Sequence, residues 1–267
     1  MKILVCLKQI LDPEISPRDF QVERDNLIAA RGGANLVTNI FCENALETAL
    51  QLREKSGGEI TAITFGDGEA EDVLRKALAL KVDHAVHIVN TEDKPTNSSG
   101  AAKVLAAAIQ KLGEFDLILL GREAGDWGEG QTGAILAEEL GLPFVAFVDS
   151  IDAVDSGVSV QRQTDVGSET LKAQTPIVLS ITNNDANVPR IPKTRDIMMA
   201  HRKELATHSL ADLGMDVASL QQAAGKTEVV DLFIPERDTS CEFVSGDSIE
   251  EKVDDFAKRI VEIVRSV

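Results

Sequence analysis

A loop with five glycines in thirteen residues carries the strongest chemical signal in the sequence. It reads Gly121-Arg122-Glu123-Ala124-Gly125-Asp126-Trp127-Gly128-Glu129-Gly130-Gln131-Thr132-Gly133 and joins an apolar run to a helical one. Glycine lets a chain turn sharply and bring its backbone close to a ligand. The N–H groups that open the following helix, with the Thr132 hydroxyl, suit a phosphate. A flexible surface loop is the plainer reading, and the position of this one after a buried-type strand weighs against it. Other candidate groups are poorer. Gly66-Asp67-Gly68-Glu69-Ala70-Glu71 begins like a dinucleotide fingerprint, but Glu71 replaces the third glycine and the carboxylates oppose a pyrophosphate, so it reads as a helix entry. There is no Walker sequence and no Gly-x-Ser-x-Gly elbow. His84 and His87 fall on opposite faces of a strand, with no Cys or carboxylate pattern to complete a metal site. Cys6, at the end of a buried strand, reads as a small core hydrophobe. No acid, base and nucleophile set emerges.

Short apolar runs alternate with longer amphipathic segments, the pattern of strand–helix–strand units in a parallel sheet. Strands are expected at 3–7, 60–65, 85–89 and 115–120, and helices at 69–80, 98–112 and 131–140. The first helix follows an irregular stretch that runs to about Thr38. Asn39 is its expected N-cap, and it stops at Gly57-Gly58. After Pro143 the runs 144–148, 158–163, 170–173 and 177–181 leave no room for crossover helices, so antiparallel pairing is expected there. The fold class is thus α/β, a doubly wound and mainly parallel sheet with an antiparallel extension. The division expected is a domain over 1–183, then an irregular arm over 184–267 that ends in an amphipathic helix at 248–264. In such a sheet ligands bind beyond the carboxyl ends of strands where the strand order reverses. The two loops of most interest are therefore the one after Cys6-Leu7-Lys8-Gln9 and the glycine-rich loop.

Composition narrows the possible partners. The 267 residues carry 27 Lys+Arg against 44 Asp+Glu, a formal net charge of −17, which opposes binding to nucleic acid or anionic lipid. No apolar run approaches the roughly 18 residues needed to span a bilayer, and the start MKILVCLKQILDPE does not read as a secretory signal, so a cytoplasmic protein that is not membrane-integral is expected. Cys6, Cys42 and Cys241 are scattered, without the spacing of a disulfide framework or a zinc site.

Four stretches together resemble the β subunit of electron-transfer flavoproteins. They are Ile3-Leu4-Val5-Cys6-Leu7-Lys8-Gln9; Asn39-Ile40-Phe41-Cys42-Glu43 with Ala45 and Glu47; the loop from Gly121 to Gly133; and Arg162 to Leu171 leading to Pro176-Ile177-Val178. The resemblance covers nearly the whole chain. It implies an adenine-nucleotide α-hydrolase-like fold in a heterodimer whose α subunit holds most of a redox-active FAD. This chain would then be an electron-carrier subunit rather than an enzyme, and would bind AMP structurally. The resemblance places Cys6, Asn39, Phe41, Cys42 and Phe65 around the adenosine, and Asp126, Gln131, Thr132 and Gly133 at ribose and phosphate, and Gly121, Arg122 and Gly130 of the same loop are also expected to bind the cofactor. Electrons would pass from a flavin dehydrogenase to a membrane or soluble acceptor through the complex.

Some positions depart from the family pattern. Pro13 follows Asp12 where many members have Tyr, so that flavin contact is absent. Gln131-Thr132-Gly133 is similar to the AMP form; the alternative is a bifurcating-type subunit with a second FAD in place of AMP. The docking loop reads Thr194-Arg195-Asp196-Ile197-Met198 where the family commonly shows Leu-Pro-Asn-Ile-Met. Thr194, Arg195, Ile197 and Met198 are its expected contacts, and Arg195 suits an acidic partner patch. A nucleotide-binding sensor of the universal-stress type is the competing class, which the length and long tail disfavour.

Overall fold

The computed structural model describes residues 1–91, 96–225, 227–235 and 240–266. They form two compact units, Met1–Asp231 and Leu232–Val267. In the first unit, β1 (Lys2–Leu7) is followed by two short antiparallel pairs, β2 (Gln9–Leu11) with β5 (Leu36–Thr38) and β3 (Gln21–Glu23) with β4 (Ile28–Ala30). The stretch expected to be irregular therefore holds two small ribbons. Strands of three residues are too short for alternation to reveal.

The chain continues through α1 (Ile40–Ser56), β6 (Glu59–Gly66), α2 (Glu71–Ala79), β7 (His84–Val89), α3 (Ser98–Leu112), β8 (Leu117–Gly121) and α4 (Thr132–Leu140). Then come β9 (Phe144–Val154), β10 (Gly157–Thr164), β11 (Gly167–Ala173), β12 (Ile177–Ile181), α5 (Thr194–Ala200), β13 (Ala206–His208) and α6 (Val217–Ala224). One nine-stranded sheet runs β11-β10-β9-β12-β8-β1-β6-β7-β13. Neighbours from β9 to β13 along that order are parallel, and only the β9–β10 and β10–β11 pairs are antiparallel. The fold is α/β with a large, mostly parallel sheet.

Antiparallel pairing was expected through 144–181, and the structure corrects that for β12. All five of its residues are buried. A strand apolar on both faces belongs inside a parallel sheet covered by helices, and β12 inserts between β8 and β9, parallel to both. The β10–β11 ribbon serves as the crossover that a helix would otherwise make. The chain between 183 and 231 is also more regular than its sequence suggests. β13 extends the sheet beside β7, α5 packs on α2, and α6 packs on α3.

Alternation along β1 divides the core. Ile3, Val5 and Leu7 join the apolar layer under α1 and α2, while Leu4 and Cys6 join the layer under α3 and α4. From β1 the chain crosses through α1 to β6 on one side, and it later reaches β8 on the other. The order thus reverses between β1 and β8, and the loops after Leu7 and Gly121 open there.

The second unit contains α7 (Ile249–Ser266). None of its described residues is buried, and Val253, Phe256, Ile260 and Val264 form an exposed apolar stripe. Among the described residues no helix is long and apolar enough to cross a membrane.

Candidate functional site

At the reversal point the end of β8 touches the first turn of α1. A Cβ on Gly121 would lie 2.8 Å from the carbonyl carbon of Phe41 and 2.9 Å from the Cys42 nitrogen, so the close approach requires glycine. Arg122 follows. Its N–H donates to the Ile181 carbonyl at 2.9 Å, and Nη1 donates to the Thr182 hydroxyl at 3.2 Å. Its guanidinium carbon sits 4.4 Å from the ring centre of Phe41 and 5.8 Å from that of Phe147, within cation–π range of both. Phe147 has a φ of +59°, a strained backbone for a bulky residue.

Asn39 departs from its expected role. It precedes α1, but its side chain makes no cap hydrogen bond. Fully buried, it instead ties the glycine-rich loop to the helix. Its amide nitrogen donates to the Glu123 carbonyl at 2.8 Å and to Cys42 Sγ at 3.3 Å, and its Oδ1 accepts from the Gly125 N–H at 3.1 Å. A second tie lies nearer the surface, where Lys8 Nζ donates to both carboxylate oxygens of Asp126 at 2.8 Å. A third fastens the far end of the loop, where the Glu129 carboxylate accepts from the Ser98 N–H at 3.0 Å and from the Ser98 hydroxyl at the head of α3. The loop is therefore braced from both sides.

The loop delivers the chain to α4. Gln131 stands at the N-cap position and its side chain makes no cap hydrogen bond, so it leaves the first-turn N–H groups that begin at Thr132 uncapped. Those groups and the positive end of the helix dipole suit a phosphate. Gly133 is buried, and a Cβ there would meet the Phe144 ring at 3.0 Å. Gly130, at φ +64°, makes the left-handed turn into the helix.

Burial pushes the Cys6 thiol up, and Cys42 beside it adds to the effect. Burial also raises the Cys42 thiol, opposed by donors from Asn39 and the backbone of Gly121 and Lys8. Both stay protonated near neutrality, as packing thiols rather than nucleophiles.

Of the residues expected around an adenosine, Cys6, Asn39, Phe41 and Cys42 converge with Gly121 and Arg122 at this end of the sheet. Phe65 lies at the same end of β6, half-buried against the α3 layer. Asp126, Gly130, Gln131, Thr132 and Gly133 follow along the loop. The expected docking residues stand apart on α5, where Thr194, Arg195, Ile197 and Met198 are all exposed. Lys8 and Phe147 were missed as individual residues. The reversal rule had marked the Lys8 loop, whereas nothing in the sequence marks a left-handed Phe147. A cleft of about 650 Å³ lies at the opposite, amino-terminal ends of the strands, lined by Lys2, Glu59, His84 and Lys203 among others, and shares no residue with this site. Among the described residues no cluster of His, Cys, Asp or Glu could hold a metal ion.

A doubly wound sheet with a braced, glycine-rich loop at its reversal point defines the class, and comparison supplies the family. Residues 26–213 match the family described as "Electron transfer flavoprotein domain". The chain is 31% identical to the electron transfer flavoprotein subunit beta of Thermoanaerobacterium thermosaccharolyticum over 97% of this chain and 98% of that protein. It is 32% identical to the Bacillus subtilis subunit of the same name, over 100% of this chain and 98% of that protein. The Caffeyl-CoA reductase-Etf complex subunit CarD of Acetobacterium woodii is 28% identical over 98% of both. The chain belongs to the electron transfer flavoprotein β-subunit family.

Proposed function

We propose that this chain is the β half of a heterodimeric electron carrier that binds AMP in the crevice between the ends of β1 and β8. The uncapped head of α4, reached through a loop braced by Asn39, Lys8 and Glu129, carries the reading. Thr132 and the first-turn N–H groups receive the phosphate, Asp126 faces the ribose, and Asn39, Phe41, Cys42, Cys6 and Phe65 enclose the base. Gly121 and Gly130 let the backbone follow the nucleotide, and Arg122 fixes the wall on Phe41. Neutral thiols and an amide suit an uncharged purine.

The residues present fit a nucleotide monophosphate. FAD, held mainly by the α subunit, supplies the electron chemistry when bound. This chain's part is to orient and to dock. The apolar stripe of α7 packs on the α subunit, and Thr194, Arg195, Ile197 and Met198 on α5 meet the dehydrogenase that delivers electrons. A downstream acceptor is reached through the assembled complex in the cytoplasm.

Thermal unfolding of the nucleotide-stripped complex against AMP concentration tests the site. A ligand bound only to the native state adds RT ln(1 + [L]/Kd), about 2.7 kcal/mol at a hundredfold excess over Kd. A saturable rise in Tm that Thr132→Val weakens is the expected result, and no shift with AMP contradicts the reading.

A further inference from the structure

Lys8 and Asp126 come from the two loops that flank the reversal point, and both carboxylate oxygens of Asp126 lie 2.8 Å from Lys8 Nζ. Their side chains are 44% and 25% exposed, and an exposed pair of this kind adds little to folding stability. Its consequence is orientation. Asp126 stands in a turn between Gly125 and Trp127-Gly128, where the Trp127 N–H engages Oδ1 and Lys8 reaches both oxygens. Lys8 is anchored, because its carbonyl accepts the Asn39 N–H at 2.9 Å at the start of α1. Asp126 Oδ1 also accepts the Trp127 N–H at 2.9 Å.

A carboxylate offers about four acceptor positions. Oδ1 uses two, for Lys8 and Trp127, and Oδ2 uses one, for Lys8. Among the described residues, one position on Oδ2 has no donor. On the nucleotide reading above Asp126 faces the ribose, whose hydroxyls can donate to that position. We propose that Lys8 is a positioning residue that holds Asp126 with a single open acceptor, so that the site reads one ribose hydroxyl and selects a ribonucleotide over the analogue lacking it. The proposal rests on the nucleotide reading above and adds to it a residue and a selectivity.

The test is calorimetric titration of the stripped heterodimer with AMP, 2′-deoxy-AMP and 3′-deoxy-AMP. It compares wild type, Lys8→Met, which keeps the aliphatic stem, and Lys8→Arg, which keeps the charge. A hydrogen bond to a charged acceptor predicts that wild type binds one deoxy analogue at least about tenfold more weakly than AMP. Lys8→Met should bind AMP about tenfold more weakly and should lose the discrimination against that analogue alone, while Lys8→Arg keeps it. An unchanged Tm across the three proteins accompanies the expected result, because an exposed pair is removed. Wild type that penalises neither analogue overturns the proposal. So does Lys8→Met that keeps the penalty or loses it equally for both analogues. In those cases AMP still binds and the nucleotide reading stands; wild type that fails to bind AMP overturns both.

Discussion

The Asn39 side chain holds Gly125 across the crevice, its Oδ1 accepting the Gly125 N–H at 3.1 Å while its amide nitrogen donates to the Glu123 carbonyl at 2.8 Å. Asn39 is 0% exposed. Asn39→Ala leaves a backbone donor and acceptor without this partner, and a buried polar group left unsatisfied costs about 1–3 kcal/mol. Urea unfolding should show a loss in that range, together with faster nucleotide release as the loop loosens. A variant as stable as wild type would mean that the loop holds its shape without the amide.

Gly121→Ala tests the contact between β8 and α1. The new Cβ would fall 2.8 Å from the Phe41 backbone, which cannot rotate aside as a side chain would. Overpacking of this kind costs about 1–3 kcal/mol. Gly68→Ala is the control, since nothing lies within 4 Å of its Cβ position. Thermal unfolding should separate the two, and equal Tm values would contradict the close approach.

Arg190 grips α1 with both edges of its guanidinium. Nε donates to Glu47 Oε2 at 2.7 Å, Nη2 to Glu47 Oε1 at 2.8 Å, and Nη1 to Glu54 at 2.5 Å. Burial alone would raise the Glu47 carboxyl, but hydrogen bonds from Arg190 and Gln51 outweigh it and hold the carboxyl below its ordinary value. A depressed carboxyl contributes stability above the unfolded pKa of about 4.3 and loses it as pH falls through the folded value. Arg190→Gln should therefore cost about 1–2 kcal/mol at pH 7, limited by the guanidinium's partial exposure, and the gap to wild type should narrow below pH about 4. Denaturant titrations at both pH values check this. A gap that widens in acid would have the wrong sign.

The three cysteines should differ in reactivity. Cys6 and Cys42 are buried with raised thiol pKa values, whereas Cys241 is exposed. A thiol reagent at neutral pH should label one cysteine in the folded chain and three after denaturation, with peptide mapping to Cys241. Rapid labelling of Cys42 would refute the sealed crevice floor.

The parallel half of the fold was legible in the sequence because buried strands such as 3–7 and 60–65 are continuous apolar runs, and because Gly57 and Gly141 mark helix ends. The glycine-rich loop was legible because glycine density after a buried strand has few structural uses. The role of Asn39 was not. Its type and place fit an N-cap, and only tertiary contact with Glu123 and Gly125 redirects the amide. β13 escaped notice because three residues with a polar centre carry no period. β12 was given the wrong sense because connection length suggested hairpins, while its complete burial argues for the sheet interior. Lys8 and Asp126 are 118 positions apart, and no local pattern pairs them.

The most direct measurement is the cofactor content of the purified heterodimer, released with acid and separated by chromatography. The account predicts about one FAD and one AMP per complex. Two FAD without AMP would place a second flavin where the nucleotide is assigned, and one FAD without any adenine nucleotide beside it would contradict the phosphate role of the Gln131–Gly133 turn.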